Sequence, residues 1–134
     1  CLAAMTATIN DVQDDANVSV FANELADAIE LLKNTTNTLL SAMVEKNIDL
    51  ALANSVKYLE MFGNIVVAWM WLQQGSVSSK ALAKQPHKED ENFYRGKLQA
   101  MKYFFRFDLP EINVWSKILC DLDETTFEAQ EDWF

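Results

Sequence analysis

The stretch from Val18 to Val44, VSVFANELADAIELLKNTTNTLLSAMV, decides the fold class. In it Phe21, Leu25, Ala28, Leu32, Leu39 and Met43 recur at a mostly three-and-four spacing that lines up one helical face. A long amphipathic helix follows. Asn17 or Ser19 offers a side-chain oxygen to cap its start, and Lys46-Asn47 suits its end, where a cation meets the negative pole of the helix dipole. Ahead of it, Leu2, Met5, Ile9 and Val12 have helical spacing in a segment too short to hold without tertiary contacts. Residues 1–16 are therefore expected as a short leading helix. The chain begins at Cys1 rather than at a methionine, as a piece of a longer protein would.

Downstream, Asp49 is placed to cap a second long helix, in which Leu52, Val56, Leu59, Val66 and Met70 form an inner stripe and Ala51, Phe62, Ile65 and Trp69 widen it. Around Trp69, Met70, Trp71 and Leu72 this helix is apolar all round, which predicts a central position in a bundle or a cover from outside the chain. Gly75 loosens it, and Ser76 to Leu82 is expected as a weak extension. Residues 84–92, KQPHKEDEN, have the composition of an exposed linker. Asp90 then caps a third helix with Tyr94, Leu98, Met101 and Phe105 on its seam and Phe93, Ala100, Phe104 and Phe107 beside it. Asp108-Leu109-Pro110-Glu111 breaks that helix and opens a fourth, whose inner face is Ile112, Trp115, Leu119 and Leu122. The acidic tail from Asp121 ends in Trp133-Phe134, a last short helix whose aromatic end would pack against a neighbour. Four strong helical patterns with short connections predict an all-α, up-and-down antiparallel bundle, one domain over residues 1–134.

Composition removes other classes. Three glycines and two prolines are too few for a sandwich or barrel. Eleven basic against twenty acidic residues give a net charge of −9, which repels phosphate backbones and anionic lipid heads, so nucleic-acid binding is disfavoured. The most apolar run, Ile65 to Leu72, is far short of the roughly 20 residues a bilayer span needs. Cys1 and Cys120 lack metal or disulfide-framework spacing and fit a reducing, cytoplasmic setting.

A carboxylate-bridged di-metal site in a bundle needs two Glu-x-x-His pairs, but His87 is the sole histidine and Lys84 stands three residues before it. Cys120 lies in the apolar context Ile118-Leu119-Cys120-Asp121-Leu122, where a small core thiol is the simpler role than a nucleophile. No phosphate-cradling or metallohydrolase motif occurs, so no catalytic, cofactor or metal ligand is assigned. Against the negative charge, Arg95, Lys102 and Arg106 recur at seven and four residues along one helix strip. That strip either contacts an anion, such as a carboxylate-rich partner or a phosphorylated ligand, or pairs with the chain's own acidic helices. The aromatic concentration that includes Trp69 and Trp71 offers the same choice between core packing and a docking face.

Tyr58-Leu59-Glu60-Met61-Phe62-Gly63, followed by Val66-Val67-Ala68-Trp69-Met70-Trp71-Leu72, resembles the C-terminal extension domain of a subgroup of acyl-CoA dehydrogenases. Phe93-Tyr94-Arg95-Gly96-Lys97-Leu98, then Lys102-Tyr103-Phe104-Phe105 and Leu109-Pro110, resembles the phrase that follows the variable linker in the same domain. The likeness runs in order from about Ala16 to Leu122; Cys1 to Asp15 and Gly75 to Asn92 depart from it. The resemblance implies an all-helical module appended to a flavoprotein that oxidises the α,β bond of acyl-CoA thioesters, with FAD and the catalytic glutamate held by preceding domains. It implies as partners the dehydrogenase domains of the same parent chain and a homo-oligomer of that parent. No residue here matches the motifs for flavin or catalysis, so none is carried over. The alternative reading is an independent helical module that binds a partner helix or amphipathic peptide.

Overall fold

The computed structural model describes residues 1–45 and 47–134, and the capping role expected of Lys46 lies outside the described residues. The chain is all-α, with no strand among the described residues. Helix α1 spans Leu2–Asp11 and α2 spans Ser19–Val44. A single short turn of helix, α3 (Ile48–Leu52), precedes the long α4 (Ser55–Ala83). Then come α5 (Lys88–Tyr103), a five-residue π-helical turn (Phe104–Asp108), α6 (Glu111–Cys120) and the brief α7 (Thr125–Glu128).

The expected face of α2 is the buried one: Phe21, Leu25, Ala28 and Leu32 are in the core, joined by Ala22 and Ile29, and Leu39 packs against it. Its start is not capped by Asn17 or Ser19. Instead the Asn17 amide Nδ2 donates to Ser79 Oγ at 3.1 Å, Ser79 Oγ donates to Asp15 Oδ1 at 3.0 Å, and the Asn17 backbone N–H donates to the same carboxylate oxygen. These bonds fasten the α1–α2 connection to the far end of α4, where burial of Gly75, Ser76, Ser78 and Ser79 lets neighbouring backbone come close. The extension past Gly75 is thus a continuous helix to Ala83.

The inner stripe expected on the second helix is corrected. Leu52, Val56, Leu59 and Met70 are half or more exposed and Val66 is only half-buried, whereas Met61, Ile65, Ala68 and Leu72 are fully buried. A helix that is apolar nearly all round gives periodicity no contrast with which to choose its inner face. The helix is also interrupted at Ala53-Asn54, and Asp49 sits in the first turn of α3 rather than capping it. The linker is shorter than the composition suggested. Only residues 84–87 are non-helical, because His87 occupies the N-cap position and Glu89, Asp90 and Glu91 fill the first turn of α5, where carboxylates face the positive dipole end. Gln85 takes a positive φ of 53° there.

Side-chain pairings order the rods. Thr36 meets Tyr58 and Asn17 meets Ser79, so α2 and α4 are antiparallel. Along α4, Gly75 faces Met101, Asn64 bonds the Asp108 carbonyl, Lys57 lies over Trp115, and Asn54 bonds the Asp123 carbonyl. The path of α5, π turn and α6 therefore runs antiparallel to the whole length of α4, and the third and fourth helices share one side of the bundle. Phe21 packs on Phe105, ring centroids 5.3 Å apart, and the buried Thr35 hydroxyl meets Ser116 at 2.8 Å, which places α2 alongside the same path. Of the fourth helix's expected inner face, Ile112 and Leu119 are buried, Trp115 is half-buried, and Leu122 lies beyond the helix end with φ 50°. No buried side-chain nitrogen or oxygen lacks a hydrogen-bond partner among the described residues. The terminal Trp133 and Phe134 are exposed.

Candidate functional site

The basic strip on α5 lies beside the acidic flank of α2. Arg95 Nε donates to Glu91 Oε1 at 2.8 Å, and Lys88 reaches the other Glu91 oxygen at 3.4 Å. The Arg95 hydrogen bond, then the charge of Lys88, holds the Glu91 carboxyl below its ordinary range. Lys102 joins none of the ion pairs among the described residues. With Arg95, Asn17, Phe21 and Leu98 it lines a shallow groove of about 290 Å³ between α2 and α5.

Arg106 lies in the π turn that follows α5. The π turn widens the helical path, as the i→i+5 bond from Leu109 N–H to the Phe104 carbonyl at 2.9 Å shows. The charge of Arg106 acts on Glu24 of α2, whose carboxyl is nevertheless pushed up, first by burial and then by neighbouring Asp27. Glu24 and Asp27 border a groove of about 330 Å³ floored by Ala28, Leu31, Phe105 and Ile112. Of the strip, Arg95 joins an ion pair among the described residues, whereas Lys102 and Arg106 join none.

Both tryptophans are engaged inside the chain. Trp69 Nε1 donates to Thr8 Oγ1 at 2.8 Å and so ties α1 to α4. Trp71 has Lys97 Nζ 5.7 Å from its ring centroid, and the same ammonium lies 5.4 Å from the Phe93 ring. Of the four residues expected to need an outside cover, Leu72 is fully buried and the two tryptophans are half-covered by α1 and α5; Met70 alone is left half exposed.

Cys120 Sγ lies 3.9 Å from Ser116 Oγ, while His87 sits exposed in the α4–α5 turn. No group of three or more metal-ligating side chains gathers among the described residues.

Sequence reasoning missed the outward face of α4. Leu52, Val56, Leu59, Val67, Met70 and Val77 are exposed along one side of α3 and α4. A signal existed: no charged residue occurs from Met61 to Ser79, between Glu60 and Lys80. Beside Val77, exposed Phe93 helps line a groove of about 320 Å³ with Gln73, Gln74, Tyr94 and Lys97. Also unforeseen is the stack of Tyr103 on Phe107, two exposed rings 4.7 Å apart.

Comparison with known proteins agrees with this architecture. The model of a family described as acetyl-CoA dehydrogenase C-terminal like matches residues 1–130. The chain is 26% identical over 80 residues to the broad-specificity linear acyl-CoA dehydrogenase FadE5 of Mycobacterium tuberculosis (strain ATCC 25618 / H37Rv). That alignment covers 60% of this chain but only 13% of the relative. With nearly its whole length matched, the chain belongs to the acetyl-CoA dehydrogenase C-terminal-like family.

Proposed function

We propose that the chain is a non-catalytic helical domain of a flavin-dependent acyl-CoA dehydrogenase, serving the packing or assembly of a longer enzyme that oxidises acyl-CoA thioesters. The observation that carries this is the family match over residues 1–130, set on an all-α bundle. The chain's own residues do not fit a flavin. A pyrophosphate needs several convergent donors, whereas the groove between α2 and α5 offers only Lys102 beside an Arg95 already bonded to Glu91. In this reading FAD and the catalytic base belong to the rest of the parent polypeptide, in a cytoplasmic enzyme. No helix among the described residues is long and apolar enough to cross a membrane.

Lys102, which joins no ion pair among the described residues, is in the same reading the docking contact for carboxylates of the dehydrogenase domains, with the Glu91-bonded Arg95 lining the same groove. The test is the gene product expressed from its own start codon, with a visible spectrum taken before and after a panel of acyl-CoA thioesters. Flavin bands that bleach with one thioester support the reading. A colourless product no longer than this chain overturns it in favour of a free-standing interaction module. In the flavoprotein, Arg95→Glu with Lys102→Glu should loosen assembly; unchanged mass and flavin retention would remove that contact.

A further inference from the structure

Charge is segregated along this chain. From Asn92 to Phe107 there are four basic residues and no acidic one, and from Asp121 to Phe134 there are six acidic residues and no basic one. Both stretches carry exposed aromatic rings. Tyr103 and Phe107 stack in solvent on the first, and Phe127, Trp133 and Phe134 stand out on the second. On a chain of net charge −9 most of the surface repels an acidic tail, and the basic, aromatic strip attracts it.

The tail is rooted at one point. Thr126 Oγ1 donates to Asn54 Oδ1 at 3.1 Å, and Asn54 Nδ2 donates to the Asp123 carbonyl at 2.9 Å. Beyond that root, residues 127–134 are all exposed, and Glu128, Glu131 and Asp132 join no ion pair among the described residues. Asn64, ten residues along from Asn54, bonds the carbonyl of Asp108, the neighbour of Phe107. The Arg106–Phe107 end of the strip therefore lies about 15 Å along the bundle from the root, and Lys102 about 9 Å farther. Eight extended residues span about 26 Å, enough to reach both. Lys80, Lys84 and Lys88 are out of reach, roughly 40 Å away along α4. Nearer the root, Lys57 and Lys117 are already paired with Glu60 and Asp121.

We propose that the acidic tail closes over the basic strip of its own chain, with Glu131 and Asp132 against Arg106 and Lys102 and with Trp133 on the Tyr103–Phe107 stack. The register follows from the reach: from Thr126, Glu131 is about 16 Å and Trp133 about 23 Å out along an extended chain, level with Arg106 and with Tyr103. Tethering favours closure, because a short linker holds the tail at a millimolar effective concentration over the strip. Closure covers Lys102, so a carboxylate-bearing partner has to displace the tail before it can dock. That masking role rests on the docking contact proposed above; the closure itself does not, and the experiment reads closure alone.

The experiment uses the 134-residue chain at low salt. Deleting residues 127–134 should shift the amide resonances of Tyr103, Arg106 and Phe107 and leave those of α1 unmoved. Chymotrypsin should cut after Phe127 about threefold faster, or more, when Lys102→Glu and Arg106→Glu are combined, with helical circular dichroism unchanged. Adding Glu131→Lys and Asp132→Lys to that variant should restore slow cleavage, and about 0.5 M salt should remove the difference between parent and charge-reversed strip. Strip resonances that ignore the deletion overturn the proposal. So does a cleavage rate that charge reversal leaves unchanged, or one that the reciprocal swap fails to restore. Protection that rises with protein concentration also overturns it, because the tail then lies on another copy.

Discussion

Two glycines on one helix should respond in opposite senses to the same substitution. Gly63 and Gly75 both lie within α4, and helix propensity alone favours alanine at each by about 1 kcal/mol. At Gly63 the new methyl meets nothing within 4 Å, so the whole gain should appear in the isolated chain. For a domain of this size that corresponds to a rise of about 3 to 4 °C in Tm. At Gly75 the Cβ would run into Sδ of Met101 and lie 3.0 Å from its Cε. Met101 is 1% exposed and hemmed in by the core, so its displacement is an overpacking strain of about 1 to 3 kcal/mol. The propensity gain offsets part of that, leaving Gly75→Ala between neutral and about 2 kcal/mol less stable than the parent. Urea unfolding of both variants and the parent, followed by far-ultraviolet circular dichroism, reads the difference directly. If Gly75→Ala gains as much as Gly63→Ala, the close approach of α5 to α4 is wrong, and with it the antiparallel register of those helices.

Two further outcomes follow from buried polar groups. Thr35 Oγ1 donates to the Leu31 carbonyl at 2.8 Å and so accepts from Ser116, whose remaining neighbour is the weak Cys120 sulfur. Thr35→Val should therefore cost about 1 to 2 kcal/mol and more than Ser116→Ala, with the double variant less damaging than the sum; additive costs in a double-mutant cycle would show that the pair is not coupled. Glu24 has its carboxyl pushed above the ordinary value of 4.5, chiefly by burial, with Arg106 opposing. A raised folded-state pKa means that its contribution is fully present below the unfolded value and is lost as pH rises through the folded one. Glu24→Gln should accordingly gain stability relative to the parent as pH climbs from below 4.5 toward neutral, and a relative loss over that window in thermal melts would contradict the assigned burial.

Much of the fold is readable from residue order. The α2 face, the members Leu98, Met101 and Phe105 of the seam expected on the third helix, and the break at Leu109-Pro110 are where spacing and proline chemistry put them, whereas Tyr94 of that seam lies outside the core cluster and Phe93 and Phe107 beside it are exposed. Each is a local property: strong amphipathic contrast, or a backbone N–H that is missing. The expected cap residues were replaced because Asp15, Asn17 and Ser79 bond one another across 64 residues of chain, a competition no local window contains. The basic strip was legible as a strip, but the carboxylates around it were only partly so. The Glu91 partner of Arg95 is four residues away on the same helix, whereas the carboxylate near Arg106 comes from α2.

The sequence by itself determined that the chain is helical, where its main helices lie, and that it resembles the dehydrogenase extension domain. Tertiary structure decided which side of α4 is inside. On that helix Met61, Ile65 and Leu72 are no more apolar than Leu59, Val67 and Met70, so hydrophobicity could not rank the two faces. Packing ranked them: the small residues Ala68, Gly75 and Ser79 admit α2, α5 and the α1–α2 connection on one side, and helices closing on that side leave the other seam facing solvent.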